Sequence, residues 1–370
     1  MSDIKGVALL GAGIFAKEAH LPALATLGLS APPLRAVYSR SEKSAQDLAQ
    51  SAAVIFNLPA LPRVYHDGDN STNLDADISS VIVVLPITTQ PAVIIKALAA
   101  GKHVISEKPV AKDVKTGLEL IADYEANYKP KGLIWRIAEN FEAEPGFRAV
   151  GAAIRAGKIG QVQSFKAVVV NYIDTESKWY KTPWRTVPDY QGGFLLDGGV
   201  HTIAALRVML PHPLTHLSGF ASLNKPYLAP HDTVHTIVQA GPVIKGTAEL
   251  TWASPTKSRP TSDGFVLSGT NGWVSVNLVS KPDRTAPVLC VSTHSVVKSS
   301  DGSEGEKEEI IEEESIGVKA ELESFFAAVG GQDDGKGLGD PLAALGDVAF
   351  FQAALNSNGN LVDLTQLLKA

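Results

Sequence analysis

Three short patterns along this chain hold residues that could do chemistry. Glu107–Lys108–Pro109 closes an apolar run that begins at Val104. A lysine at such a strand end can hydrogen-bond a substrate oxygen or hand it a proton. Gly192–Gly193 precedes Asp197 and His201, whose spacing of four puts both on one face if the segment is helical. Together with Lys108 these make an acid–base set: a carboxylate to orient, an imidazole that titrates near neutrality, and a cation to stabilise an alkoxide. The third pattern, Gly11–Ala12–Gly13–Ile14–Phe15–Ala16, is G-x-G-x-x-A directly after the strand-like Val7–Leu10. Gly11 permits a tight turn, Gly13 lets the backbone approach a pyrophosphate, and Ala16 allows close helix–strand packing. Gly11, Gly13, Ile14 and Phe15 are therefore the candidate dinucleotide contacts, with helix Lys17–Leu27 offering its free N–H groups to phosphate.

Positioning these residues needs a parallel sheet. Leu34–Tyr38 reads as the second strand, ending in Ser39–Arg40 where NAD enzymes usually carry a carboxylate for the ribose 2′-hydroxyl. Serine can donate to a 2′-phosphate and arginine can pair with it, so this strand end favours NADP(H) over NAD. Asp75–Asp77 lead into Ile78–Leu85, a continuous apolar run suited to a strand buried on both faces, and Pro86 ends it. Leu85 and Pro86 then fall at the carboxyl edge, where open α/β sheets bind ligands, and Glu107 and Lys108 beside them. Pro91–Ala100 and Val114–Tyr128 read as helices, and Gly132–Ala138 as the strand that closes a first domain near Asn140. Strand–helix alternation predicts a doubly wound parallel Rossmann sheet over residues 1–140.

Residues 141–370 predict a second α/β domain. Phe147–Ala156 reads as a helix, Val162–Tyr172 as a long strand, and 342–355 as a final helix. Thr175–Tyr190 is rich in Trp, Tyr and Pro without a period, more apolar than an ordinary surface loop, and fits a cover over a substrate site. Trp184 and Arg185 within it are candidate substrate contacts, Arg185 for an anion or hydroxyl. His231 and His235 have metal-ligand spacing for a helix, but Thr233, Val234, Thr236, Ile237 and Val238 favour a strand. Four residues along a strand span about 13 Å, too far to share an ion, so no metal site is expected. Glu304–Glu314 reads as a solvated acidic patch and 330–339 as a flexible loop.

Composition narrows the class. The chain has 370 residues, 45% hydrophobic and 19% charged, with a net charge of −6 and one cysteine, Cys290. There is no basic footprint for nucleic acid or anionic membrane, and no intramolecular disulfide. Val7–Leu10 is too short for a signal or a membrane span, and Asn70–Ser71–Thr72 is read as a chance glycosylation triplet. The expectation is a soluble, cytoplasmic protein.

With these residues in place the whole chain resembles the Gfo/Idh/MocA oxidoreductases. The carriers are the leading G-x-G-x-x-A, the E-K-P of Glu107–Lys108–Pro109, and G-G-x-x-x-D-x-x-x-H from Gly192 to His201. Ala138–Glu139–Asn140–Phe141 and Trp184–Arg185 make it most similar to a fungal NADP-dependent branch, and place Asn140 among the substrate contacts. The resemblance implies an N-terminal Rossmann domain and a C-terminal domain with a large, open, mostly antiparallel sheet, often a dimer interface. It also implies a cis Lys108–Pro109 bond, with Lys108, Asp197 and His201 around the carbon that exchanges hydride. Many members carry T-P-N-x-x-H after the fourth strand. Here the residues are Leu85–Pro86–Ile87–Thr88–Thr89–Gln90, so no role is transferred to Ile87 or Gln90. The expected activity is NADP(H)-dependent hydride transfer on a sugar, polyol or related carbonyl compound, in a homodimer or higher homo-oligomer. The alternative is a regulator that senses dinucleotide without turnover, which would need the glycine loop but not the acid–base set.

Overall fold

A computed structural model describes residues 5–68, 76–284, 287–332 and 335–369. Asn70–Ser71–Thr72, Asp75 and part of the expected 330–339 loop lie outside the described residues. Two compact units result, one of residues 1–140 and 318–345, the other of 141–317 and 346–370.

The first unit is built on six parallel strands: β1 (Gly6–Leu10), β2 (Leu34–Tyr38), β3 (Arg63–Tyr65), β4 (Ile78–Val83), β5 (His103–Glu107) and β6 (Trp135–Ala138). Their order is β3-β2-β1-β4-β5-β6, so the direction of winding reverses between β1 and β4. The carboxyl ends of that pair form the crevice where doubly wound sheets bind ligands. All of β1 is buried, as its unbroken apolar run requires with helices on both faces. The helix after the glycine loop differs from a plain Lys17–Leu27 helix. It opens with a wide π-type turn over Ala16–His20 and becomes α-helical only at Leu21–Leu27. Such turns recur at functional sites.

The domain boundary needs one correction. The chain leaves the first unit after Asn140, but it does not stay in the second to the end. Residues 318–345 return to the first. The reason is apolar burial: Leu322, Phe325 and Phe326 of helix Gly317–Val329 join Val7, Leu9, Leu48 and Ile105 in one core. Two hydrogen bonds fasten the return, Arg136 to the Ser324 hydroxyl at 2.7 Å and the Ile137 N–H to the Gly339 carbonyl at 2.9 Å.

The second unit holds nine strands: β7 (Val162–Val170), β8 (Leu214–Ser222), β9 (Thr233–Ala240), β10 (Ile244–Thr251), β11 (Gly264–Gly269), β12 (Gly272–Val279), β13 (Val288–Lys298), β14 (Glu304–Glu314) and β15 (Val362–Asp363). Their order is β14-β13-β12-β11-β7-β10-β9-β8-β15, and only β7 and β10 run parallel. This is the large, mostly antiparallel sheet the resemblance implied. His235 lies on β9, as its β-branched neighbours required. The acidic stretch Glu304–Glu314 is exposed, yet it forms an edge strand rather than an irregular patch. Backbone pairing with β13 is indifferent to side-chain charge, and a charged edge discourages further pairing. The helix expected over 342–355 runs Pro341–Asn356, and a short helical turn, Leu364–Leu367, follows β15. Among the described residues no helix is long and apolar enough to cross a membrane.

Candidate active site

In the first unit the predicted cofactor residues gather at the carboxyl edge of one sheet. Gly11 follows β1, Ser39 and Arg40 follow β2, Leu85 and Pro86 follow β4, and Lys108 follows β5. Gly11 has φ +120°, and a Cβ there would sit 2.0 Å from the Val84 carbonyl oxygen, so the turn requires glycine. Gly13 is different: it is exposed and a Cβ would meet nothing within 4 Å. No neighbouring chain therefore asks for glycine at Gly13, whereas a pyrophosphate approaching the backbone would. Ile14 and Phe15 are half-buried in the same turn, and the Phe15 ring packs edge-on against His20 at 5.4 Å. These residues fit a dinucleotide.

At the end of β2, Ser39 is half-buried and Arg40 exposed. A carboxylate does approach this edge from elsewhere. Asp67 accepts a hydrogen bond from the Tyr38 hydroxyl, whose pKa burial and that carboxylate push up to about 12.

Glu107 and Lys108 occupy contrasting surroundings. Lys108 is half-buried and precedes a cis peptide bond to Pro109, as the resemblance implied. Glu107 is 7% exposed, and its Oε1 lies 2.7 Å from Nε2 of the fully buried His20. Glu321 completes a buried group with them, one donor atom from each lying within 4.8 Å of the others. The sequence reading missed His20 and Glu321. His20 carried a signal, a polar residue on the apolar face of the loop's own helix; Glu321 carried none, being far away in sequence.

In the second unit, helix Gly193–Met209 places Asp197 and His201 one turn apart, as their spacing required. Asp197 is buried and His201 half-buried. Arg185 donates from Nε to Asp197 Oδ2 at 2.8 Å and from a terminal nitrogen to the Thr182 hydroxyl at 3.2 Å. Its guanidinium lies 4.0 Å from the Trp184 ring centre and 5.3 Å from that of Trp179. The unperiodic stretch 175–190 thus builds an aromatic cradle for one arginine. Tyr190 closes it: the phenol is buried, and burial with the Asp197 charge pushes its pKa up. Gly192 and Gly193 open the helix that carries Asp197. A Cβ at Gly192 would fall 2.1 Å from the Leu196 side chain, and one at Gly193 3.0 Å from Pro230, so chain packing uses their smallness.

His201, half-buried, packs beside two further features. Its ring stacks on Phe141 at 4.7 Å, and both residues line a cavity of about 260 Å³ together with Glu144. Glu144 accepts from the Ser315 hydroxyl at 2.7 Å and from the N–H groups of Ile316 and Gly317 at 3.1 and 3.0 Å. Burial pushes its carboxyl pKa up in spite of those bonds. Asn140, the last residue of the first unit before the chain crosses, is half-buried.

Comparison with known proteins identifies the family of both units. Residues 5–129 match the oxidoreductase family with an NAD-binding Rossmann fold, and residues 147–275 match the GFO/IDH/MocA C-terminal domain. The chain belongs to the GFO/IDH/MocA family of oxidoreductases, whose members bind NAD(P). It is 38% identical over 366 residues to dehydrogenase FPY6 of Fusarium mangiferae, covering 95% of this chain and 96% of that protein. An oxidoreductase from Thermotoga maritima superposes with a TM-score of 0.80 at 28% identity, covering 98% and 99% of the two chains. Levoglucosan dehydrogenase, solved with NADH and levoglucosan, shares the fold with a TM-score of 0.74 at 21% identity, covering 97% and 99%.

Proposed function

We propose that this enzyme is an NADP(H)-dependent dehydrogenase or reductase acting on a carbonyl or hydroxyl carbon of a sugar, a polyol or a related small molecule. The observation that carries the reading is helix Gly193–Met209, which sets Asp197 and His201 one turn apart with His201 in a cavity wall. Levoglucosan dehydrogenase, a sugar-acting protein of the same fold, supports the substrate class.

Gly11, Gly13, Ile14, Phe15, Leu85 and Pro86 would hold the dinucleotide, with Ser39 and Arg40 at its 2′-phosphate. When bound, the nicotinamide supplies or takes up the hydride. The protein's own residues do the rest. Lys108 stabilises the developing alkoxide, and Asp197, anchored by Arg185, orients substrate and imidazole. In reduction the oxygen receives its proton from Lys108 or His201, and in oxidation the same group takes it away. Trp184, Arg185 and Asn140 contact the rest of the substrate. The same reading has the protein as a cytoplasmic homo-oligomer joined through the second sheet, which light scattering checks as a mass at least twice that of the chain.

Initial rates with NADPH and NADH across a panel of carbonyl compounds test the proposal. NADPH is expected to be preferred, and Arg40→Ala to raise its KM by about 10- to 100-fold, the value of a lost charge-assisted hydrogen bond. Preference for NADH by the unaltered protein overturns the NADP assignment. Tight dinucleotide binding with no turnover of any carbonyl or alcohol overturns the enzyme reading in favour of a sensor.

A further inference from the structure

We infer that the cavity beside His201 receives an apolar group of the substrate, so that the substrate carries an alkyl or aryl substituent near its reacting carbon. This rests on the proposed placement of His201 at the reacting oxygen, and it divides the broad class above. Uniformly hydroxylated sugars become poor substrates, and carbonyl compounds with one apolar flank become good ones.

The cavity wall is what argues for it. Phe265 of β11, Val276 of β12 and Leu289 of β13 turn the same face of the sheet toward the cavity, Val168 of β7 also lines it, and Phe147 comes from helix Pro145–Arg155. Each of these five is at most 7% exposed. Glu144, Arg259 and Asp263, the charged groups at the cavity, already bond to one another or to neighbouring polar groups and backbone. Glu144 accepts three hydrogen bonds from the Ser315–Gly317 segment. Arg259 donates to Asp263 at 3.0 Å and to Asn171 at 2.6 Å, and the second Asp263 oxygen accepts from the Val170 N–H at 3.0 Å. A substrate hydroxyl laid against the five apolar side chains of this wall would go unpaired, which is unfavourable in a buried site. A methylene would gain by leaving water. At about 260 Å³ the cavity falls just below the usual size of small-ligand pockets, roughly 300 to 1,000 Å³, so it suits a substituent better than a whole ligand.

The test uses two homologous series on the full chain. The 1-hydroxy-2-alkanones, from hydroxyacetone upward, are assayed with NADPH and NADH. The 1-alkanols from propanol to octanol are assayed for binding by ligand-observed NMR, which needs no turnover. In both series affinity or kcat/KM is expected to rise about fourfold per methylene until the cavity is full, then level off. Val276→Phe, which fills the cavity, should flatten the rise in both series. Phe265→Leu, which enlarges it, should move the plateau to longer chains; a thermal melt shows that each variant is folded. Alkanol binding and turnover that ignore chain length overturn the inference and leave the proposed function standing. Chain-length-dependent alkanol binding without turnover of any carbonyl supports the pocket and sinks the proposed function.

Discussion

Arg185 holds Asp197 through a 2.8 Å hydrogen bond while its guanidinium lies over the Trp184 ring at 4.0 Å. Each member of this trio restrains another, since a planar guanidinium can pair in its plane and stack across it. Asp197 is thus a positioned carboxylate and not a mobile one. Arg185→Met should lower kcat/KM at least tenfold, and Arg185→Lys should fail to rescue it, because an ammonium neither forks nor stacks. Steady-state kinetics decide: activity within twofold of the unaltered protein in Arg185→Met removes Arg185 from the site.

The two loop glycines make opposite predictions. Gly11→Ala meets the Val84 carbonyl at 2.0 Å in a backbone region that suits glycine, so its melting temperature should fall whether or not cofactor is present. Gly13→Ala meets nothing within 4 Å and should melt as the unaltered protein does. Its dinucleotide affinity should nevertheless drop at least tenfold, because the new methyl occupies the pyrophosphate's approach. Unchanged affinity in a dinucleotide titration of Gly13→Ala would count against this loop as the binding site.

The buried contact between His20 and Glu107 ties the helix after the glycine loop to the strand that carries Lys108. Glu107→Leu deprives a fully buried imidazole of that partner, a change worth about 1–3 kcal/mol. The urea midpoint should fall accordingly with the m-value unchanged. A midpoint equal to that of the unaltered chain would show that the contact contributes nothing to stability.

Arg207 sits on the same helix as Asp197 and His201 and donates to Glu142 at 3.0 Å and to Asp347 at 3.1 Å. Burial pushes its pKa down, but Asp347 and Glu142 more than reverse that. Arg207→Met leaves two buried carboxylates without their shared cation and should cost about 3–5 kcal/mol in denaturant unfolding. The double replacement of Glu142 and Asp347 by Gln and Asn in that background should recover part of the loss. Absence of any recovery would show that Arg207 contributes through packing alone.

Much of this was local and therefore legible in the chain. A glycine loop, a strand end and a four-residue spacing on a helix depend on neighbours within a few positions, so Gly11, Gly13, Lys108, Asp197 and His201 stand out in the chain as candidates. The doubly wound parallel sheet followed from strand–helix alternation by the same logic. Other features depended on residues far apart. An amphipathic helix advertises an apolar face but not the core that will receive it, so the return of Leu322, Phe325 and Phe326 to the first unit could not be read. His20, Glu107 and Glu321 meet for the same reason, as do Arg185 and Asp197. The cavity beside His201 belongs wholly to this second kind. Four strands and the helices Pro145–Arg155 and Gly193–Met209 supply most of its wall, and its apolar residues read in sequence only as further buried side chains. Sequence determined which groups could do the chemistry; burial in the folded sheet decided which partners they have and how apolar their surroundings are.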